Sequence, residues 1–192
     1  MQFLTLFLTT LFMVHHNFYV ITGGPGVGKT TLLHELEKRN YRCMPEAARR
    51  IIQEQMAQNG DALPWENKAR YAELMLEGSV NLYKQADQGT VTFFDRGIPD
   101  VLAYVRLTGL PLTETLTDAL TSFRYHPLVF ILPPWKEIYA TDSERKQTWE
   151  EAVATFEVMK EAYTGYGYTI VEVPPMEVGG RADFVLQTAG LR

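Results

Sequence analysis

Short apolar runs alternate with longer stretches in which apolar residues return every three or four positions, and this alternation organises the chain from residue 18 onward. Phe18-Tyr19-Val20-Ile21 is continuous enough to be a strand buried on both faces. A glycine-rich turn separates it from a helix over 29–39, where Leu32, Leu33 and Leu36 share one face. Residues 41–44 read as a short second strand. Pro45 and Glu46 open a helix that Asn59-Gly60 ends. A turn at 61–64 leads into a mostly helical stretch over 65–88. Val91-Thr92-Phe93-Phe94 is a third strand, closed by Asp95-Arg96-Gly97. Helices over 99–108 and 113–124 precede a fourth strand at 128–132, which Pro133-Pro134 terminates. A polar, charged segment over 136–148, a helix over 149–163, a fifth strand over 169–173 and a final helix over 180–187 complete the series.

Continuous apolar strands alternating with helices imply a parallel sheet covered on both faces. The expectation is an α/β fold: a single three-layer α/β/α domain with a five-stranded, mostly parallel sheet. No linker rich in Pro, Gly or Ser divides the 192 residues. In such sheets the ligand lies beyond the carboxyl ends of the strands, so the residues just after each strand are the ones that carry chemistry.

Composition narrows this picture a little. The chain is 46% hydrophobic and 21% charged, as for an ordinary globular protein, and its net charge of −5 argues against nucleic acid as the main partner. The single cysteine, Cys43, forms no intrachain disulfide and falls in a strand; it reads as a small core residue, and a reducing, cytoplasmic setting follows as the default. The first twelve residues are apolar but too short to span a bilayer, and they lack the basic start and small-residue cleavage site of a secretory signal. Residues 1–17 are read as a hydrophobic arm ahead of a body over 18–192. Met13 is the favoured natural start, because the first strand follows it almost at once.

The turn after the first strand is the strongest signal. Gly23-Gly24-Pro25-Gly26-Val27-Gly28-Lys29-Thr30 matches G-x-x-x-x-G-K-[ST] in full, with a strand before it and a helix after it. Gly24, Pro25, Gly26, Val27 and Gly28 form a loop whose backbone N–H groups, with the positive end of the helix, suit a β-phosphate. Lys29 is placed for the β- and γ-phosphates, the Thr30 hydroxyl for Mg²⁺, and Thr31 for the α-phosphate side. The expected cofactors are therefore ATP and Mg²⁺. ATP is preferred over GTP because no N-K-x-D segment occurs: Asn67-Lys68 is followed by Ala69-Arg70.

The other candidates lie where strands end. Asp95 closes the third strand in the position where a carboxylate holds Mg²⁺ directly or through water. Arg96 follows it, where a hydrolytic ATPase often carries Glu; an arginine there suits gripping a phosphate or an acceptor. Glu46 follows the second strand, positioned to take a proton from an acceptor hydroxyl. Arg49 and Arg50 lie three and four residues on, on the same side of the helix. Arg145, within Glu144-Arg145-Lys146, would stabilise charge on a transferring group from a closing segment.

With these residues, the chain resembles the AAA domain family labelled AAA_28. The resemblance rests on ITGGPGVGKTTLL, PEAARRII, FFDRGIPD, VFILPPWKEIYATDSERK and GGRADFVL, in order from about residue 18 to 186. The chain lacks room for the helical lid domain of a hexameric motor and has no Glu after Asp95. The layout is also similar to deoxynucleoside kinases and to the nicotinamide riboside kinase domain. That similarity implies Glu46 as base, Arg96 as substrate or phosphate contact, Arg145 as lid arginine, and Pro174-Pro175-Met176 beside the adenine. The expected function is Mg²⁺-dependent transfer of the γ-phosphoryl of ATP to a nucleoside-like acceptor hydroxyl. The alternative is an ATP hydrolase or nucleotide-dependent switch acting through a protein partner. A homodimer is compatible with either, and no membrane span is expected.

Overall fold

All six residues of β1 (Phe18–Gly23) are buried, which requires a strand on each side and a helical layer on each face. The computed structural model describes residues 17–136 and 148–191. In it, β2 (Arg42–Met44), β3 (Thr92–Asp95), β4 (Leu128–Leu132) and β5 (Thr169–Glu172) join β1 in the order β2-β3-β1-β4-β5. Every neighbouring pair is parallel, so the sheet expected to be mostly parallel is entirely so. The expectation of a single α/β/α domain holds.

Strand alternation divides the core. Phe18, Val20, Phe94, Val129 and Ile131 point to one face. There they meet α2 (Ala47–Gln58), α3 (Lys68–Gln85), α4 (Ile98–Leu107), α5 (Glu114–Ser122) and α6 (Trp149–Thr164). Tyr19, Ile21, Phe93, Phe130 and Leu132 point to the other face, against α1 (Lys29–Lys38) and α7 (Val178–Thr188). The register sets Ile21 opposite Asp95 and Gly23 opposite Leu132. The glycine-rich turn, the end of β3 and the end of β4 therefore emerge side by side on one rim.

Three local differences from the sequence reading have physical causes. Helix α3 starts at Lys68, three residues later than expected. Asn67 caps it by accepting from the Arg70 N–H at 3.1 Å, and its own amide donates to Asp61 at 2.9 Å, which closes the preceding turn. Trp65, read as helical, lies in that turn and is 64% exposed. Helix α7 starts at Val178, earlier than expected, because the Glu177 carboxylate accepts the N–H groups of Gly179 and Gly180 and draws both glycines into the first turn. Cys43 is only half-buried, since β2 is an edge strand. Its thiol donates to the Leu33 carbonyl at 3.5 Å, and burial pushes its pKa up to about 12, which suits packing and not nucleophilic chemistry.

Phe93 is fully buried and lies between Tyr19 and Tyr41. Phe93→Ala removes that filling and is expected to lower the unfolding free energy by about 3–5 kcal/mol, measured by denaturant unfolding.

Candidate active site

The turn after β1 is shaped by close approach. A Cβ at Gly23 would lie 2.6 Å from the Leu132 carbonyl oxygen, a distance no side chain tolerates, so the chain passes against β4 only as glycine. Val27, 4% exposed, anchors the loop in the core. Gly28 is the N-cap of α1 and brings no side-chain cap, leaving no side chain to compete for the N–H groups of the first turn. The Lys29 ammonium, 7% exposed, donates to the carbonyls of Gly23 at 2.9 Å and Gly24 at 2.8 Å. Burial lowers its pKa to about 8, reinforced by the Arg96 cation and opposed by Asp95, Glu46 and Asp100. Thr30 and Thr31 are exposed on α1.

The end of β3 carries the second half of the site. Arg96 adopts a left-handed backbone (φ +71°), which costs a non-glycine residue on the order of 1–3 kcal/mol. Its N–H donates to the Ile21 carbonyl at 3.0 Å. Its Nε donates to Glu46 at 2.7 Å and its Nη1 to Asp100 at 3.1 Å. Burial alone raises the Glu46 pKa, but Arg96 and Lys29 outweigh it, and the carboxyl stays below its ordinary range. Burial raises the Asp95 pKa against the pull of Lys29, and its Oδ1 is buried with no hydrogen-bond partner. Gly97 follows because a Cβ there would press on Val20, Tyr125 and the Tyr163 hydroxyl at 3.1 Å each.

The structure brings Lys29, Glu46, Asp95 and Arg96 into one charged cluster. A cleft of about 500 Å³ runs past Thr30, Glu46 and Asp95 to Arg49 and Arg50. Arg50 pairs with Glu54 at 3.5 Å, while Arg49 makes no ion pair among the described residues. Arg145 lies outside the described residues. Met176, in the segment expected beside adenine, is 37% exposed.

Three residues escaped the sequence reading. Asp100 accepts from Thr22 at 2.5 Å, from Arg96, from the Gly97 N–H at 2.8 Å and from the Tyr163 hydroxyl. An acidic residue on a helix face of Ile98, Pro99, Val101 and Leu102, four positions after an arginine, was the available signal for it. Tyr163, on another helix, left none. Arg181, 6% exposed, lies within 3.4 Å of the Gly28 carbonyl and over the Trp135 ring at 5.9 Å, and its Nε has no partner. Its signal was the charged residue inside GGRADFVL.

These features define a P-loop protein with a kinase-like α/β fold. The AAA domain (AAA_28) family model matches residues 18–181, and the chain belongs to that family. No curated protein sequence matches it. Among solved structures, the NadR protein in complex with NR superposes with TM-score 0.64 at 22% identity, covering 92% of this chain and 51% of NadR. The chain thus spans about half the length of that protein. Deoxyadenosine kinase from M. mycoides gives 0.60 at 18% identity over 90% of this chain and 98% of that one. Shikimate kinase from Acinetobacter baumannii gives 0.55 at 14% identity, covering 90% and 91%. At these identities the likeness establishes the fold. No helix of the described residues is long and apolar enough to cross a membrane.

Lys29 carries a pH signature. Between about 8 and 10.5 the unfolded chain keeps the proton that the folded chain has released. The unfolded state then binds more protons, so stability rises with pH across this window. The unfolding free energy of the wild type, minus that of Lys29→Met, is expected to increase from pH 8 to pH 10 in urea titrations.

Proposed function

We propose that this protein is an ATP-dependent kinase of a small, nucleoside-like hydroxyl compound. The observation that carries this reading is the Glu46–Arg96 pair beside Asp95, at the mouth of a cleft that reaches Thr30. An ionised carboxylate, a guanidinium and a phosphate loop converge there around space for a second substrate. Two of the structural neighbours, deoxyadenosine kinase and shikimate kinase, agree with the reaction class.

In this reading the loop over 23–30 cradles the β-phosphate, and the Lys29 ammonium leaves the Gly23 and Gly24 carbonyls to meet the β- and γ-phosphates. The base lies by Trp135 and Met176, beside the buried Arg181 guanidinium. The acceptor hydroxyl attacks the γ-phosphorus while the bond to the β–γ bridging oxygen breaks. The hydroxyl proton passes to Glu46, and ADP departs. Arg96 meets the charge on the transferring group, and Arg145 adds a second guanidinium. The donor set fits Mg²⁺: the orphaned Asp95 Oδ1 and the exposed Thr30 hydroxyl are hard oxygen donors of the kind that ion takes alongside phosphates. Among the described residues no cluster of three His, Cys, Asp or Glu would hold a metal by itself. When bound, Mg²⁺ neutralises charge on the phosphates.

A panel of nucleosides and other hydroxyl metabolites incubated with labelled ATP is expected to yield one phosphorylated class. With the accepted substrate, Glu46→Gln should lower kcat by about 10²–10⁴-fold while ATP affinity by calorimetry stays near normal. Hydrolysis independent of every acceptor and indifferent to Glu46→Gln would instead support the switch or hydrolase reading.

A further inference from the structure

We infer that Asp100 is the positioning residue of this site: one buried carboxylate ties the end of β1, the Arg96 guanidinium and helix α6 together, and so sets where Arg96 meets Glu46. The catalytic consequence rests on the kinase reading above; the positional claim does not.

Asp100 is 4% exposed on the buried face of α4. A carboxyl group buried there is tolerated only if hydrogen bonds offset its desolvation. The offset is complete. Oδ1 accepts from the Thr22 hydroxyl at 2.5 Å and from Arg96 Nη1 at 3.1 Å. Oδ2 accepts from the Gly97 N–H at 2.8 Å and from the Tyr163 hydroxyl. A carboxylate offers about four acceptor sites, so none remains for a substrate, and Asp100 acts through its neighbours.

Helix capping explains only one of these four bonds. Asp100 is the third residue of α4, where any acidic side chain would accept the Gly97 N–H. The other three reach separate elements. Thr22 lies on β1, one residue before the phosphate loop begins. Tyr163 lies near the end of α6, the helix that follows 137–147. Arg96 holds an unfavourable left-handed backbone, and its guanidinium is pinned at two points, Nε on Glu46 and Nη1 on Asp100. Its Nη2 makes no hydrogen bond among the described residues. That leaves one donor face for a phosphate or acceptor, with its direction fixed by the two carboxylates behind it. Without the Asp100 acceptor, Nη1 is released and the guanidinium is anchored at Glu46 alone, free to swing about that single bond.

The test uses the full-length protein and three variants: Asp100→Asn, Tyr163→Phe and Arg96→Lys. Arg96→Lys assigns the Arg96 Nη1–H resonance, the donor held by Asp100, in ¹⁵N spectra by its loss. In wild type that resonance is expected to be protected from solvent exchange; in Asp100→Asn it should exchange rapidly. With the accepted substrate, Asp100→Asn should lower kcat by about 10²-fold, with ATP affinity unchanged within about threefold, half a power of ten in the binding constant. Tyr163→Phe, which keeps the carboxylate, should show the same split to a smaller degree and serves where Asp100→Asn does not fold. Wild-type protection and kcat in both variants would overturn the inference, as would parallel loss of ATP binding and kcat. If wild type phosphorylates no acceptor, the kinase reading fails, and the exchange measurement alone decides the positional claim.

Discussion

A guanidinium held between two carboxylates is the constraint around which this site is arranged. Arg96 stands at the end of β3, Glu46 at the start of α2 after β2, and Asp100 on α4. These are three different segments of the chain, and the distances of 2.7 and 3.1 Å fix their relative positions on the rim of the sheet. Because the pair contacts are largely buried, the attraction is screened less than on a surface. Breaking either side would leave a buried charge uncompensated, which costs far more than an exposed pair would contribute. The left-handed backbone at Arg96 is the local cost of aiming the side chain this way.

The same rim concentrates charge. Lys29 and Arg96 face Glu46, Asp95 and Asp100, and burial and the surrounding charges shift the titration of Lys29, Glu46, Asp95 and Arg96. The result is differentiated. Glu46 is held ionised by two cations, Asp95 is pushed up by burial with one oxygen left unpartnered, and the Lys29 ammonium is destabilised by burial while its protons rest on loop carbonyls. Neighbouring groups of one type thereby acquire different chemical capacities from their surroundings.

The fold was legible in the sequence because burial on both faces leaves a plain mark. FYVI and LVFIL are uninterrupted apolar runs, VTFF is broken only by the β-branched Thr92, and each became a central strand. Element ends were less legible where a side chain from outside the periodic pattern set them. Asn67 delayed α3, and Glu177 recruited two glycines into α7. Strand order left little trace. That β2 lies at an edge explains the half-burial of Cys43, and within residues 41–44 its one mark is the charged Arg42, exposed in the strand.

By itself the sequence determined the phosphate loop, the acidic and basic residues that follow the strands, and the α/β layering, because each depends on residues close together in the chain. Glycines at fixed spacing and apolar runs at fixed period act locally. Only the tertiary structure decided which of those residues meet. The bond from Arg96 to Glu46 spans 50 positions, and that from Tyr163 to Asp100 spans 63. Arg181 meets Gly28 across 153. Such contacts arise where strand order brings separate segments to one rim and buried charge must find its partner there, and no local pattern encodes them.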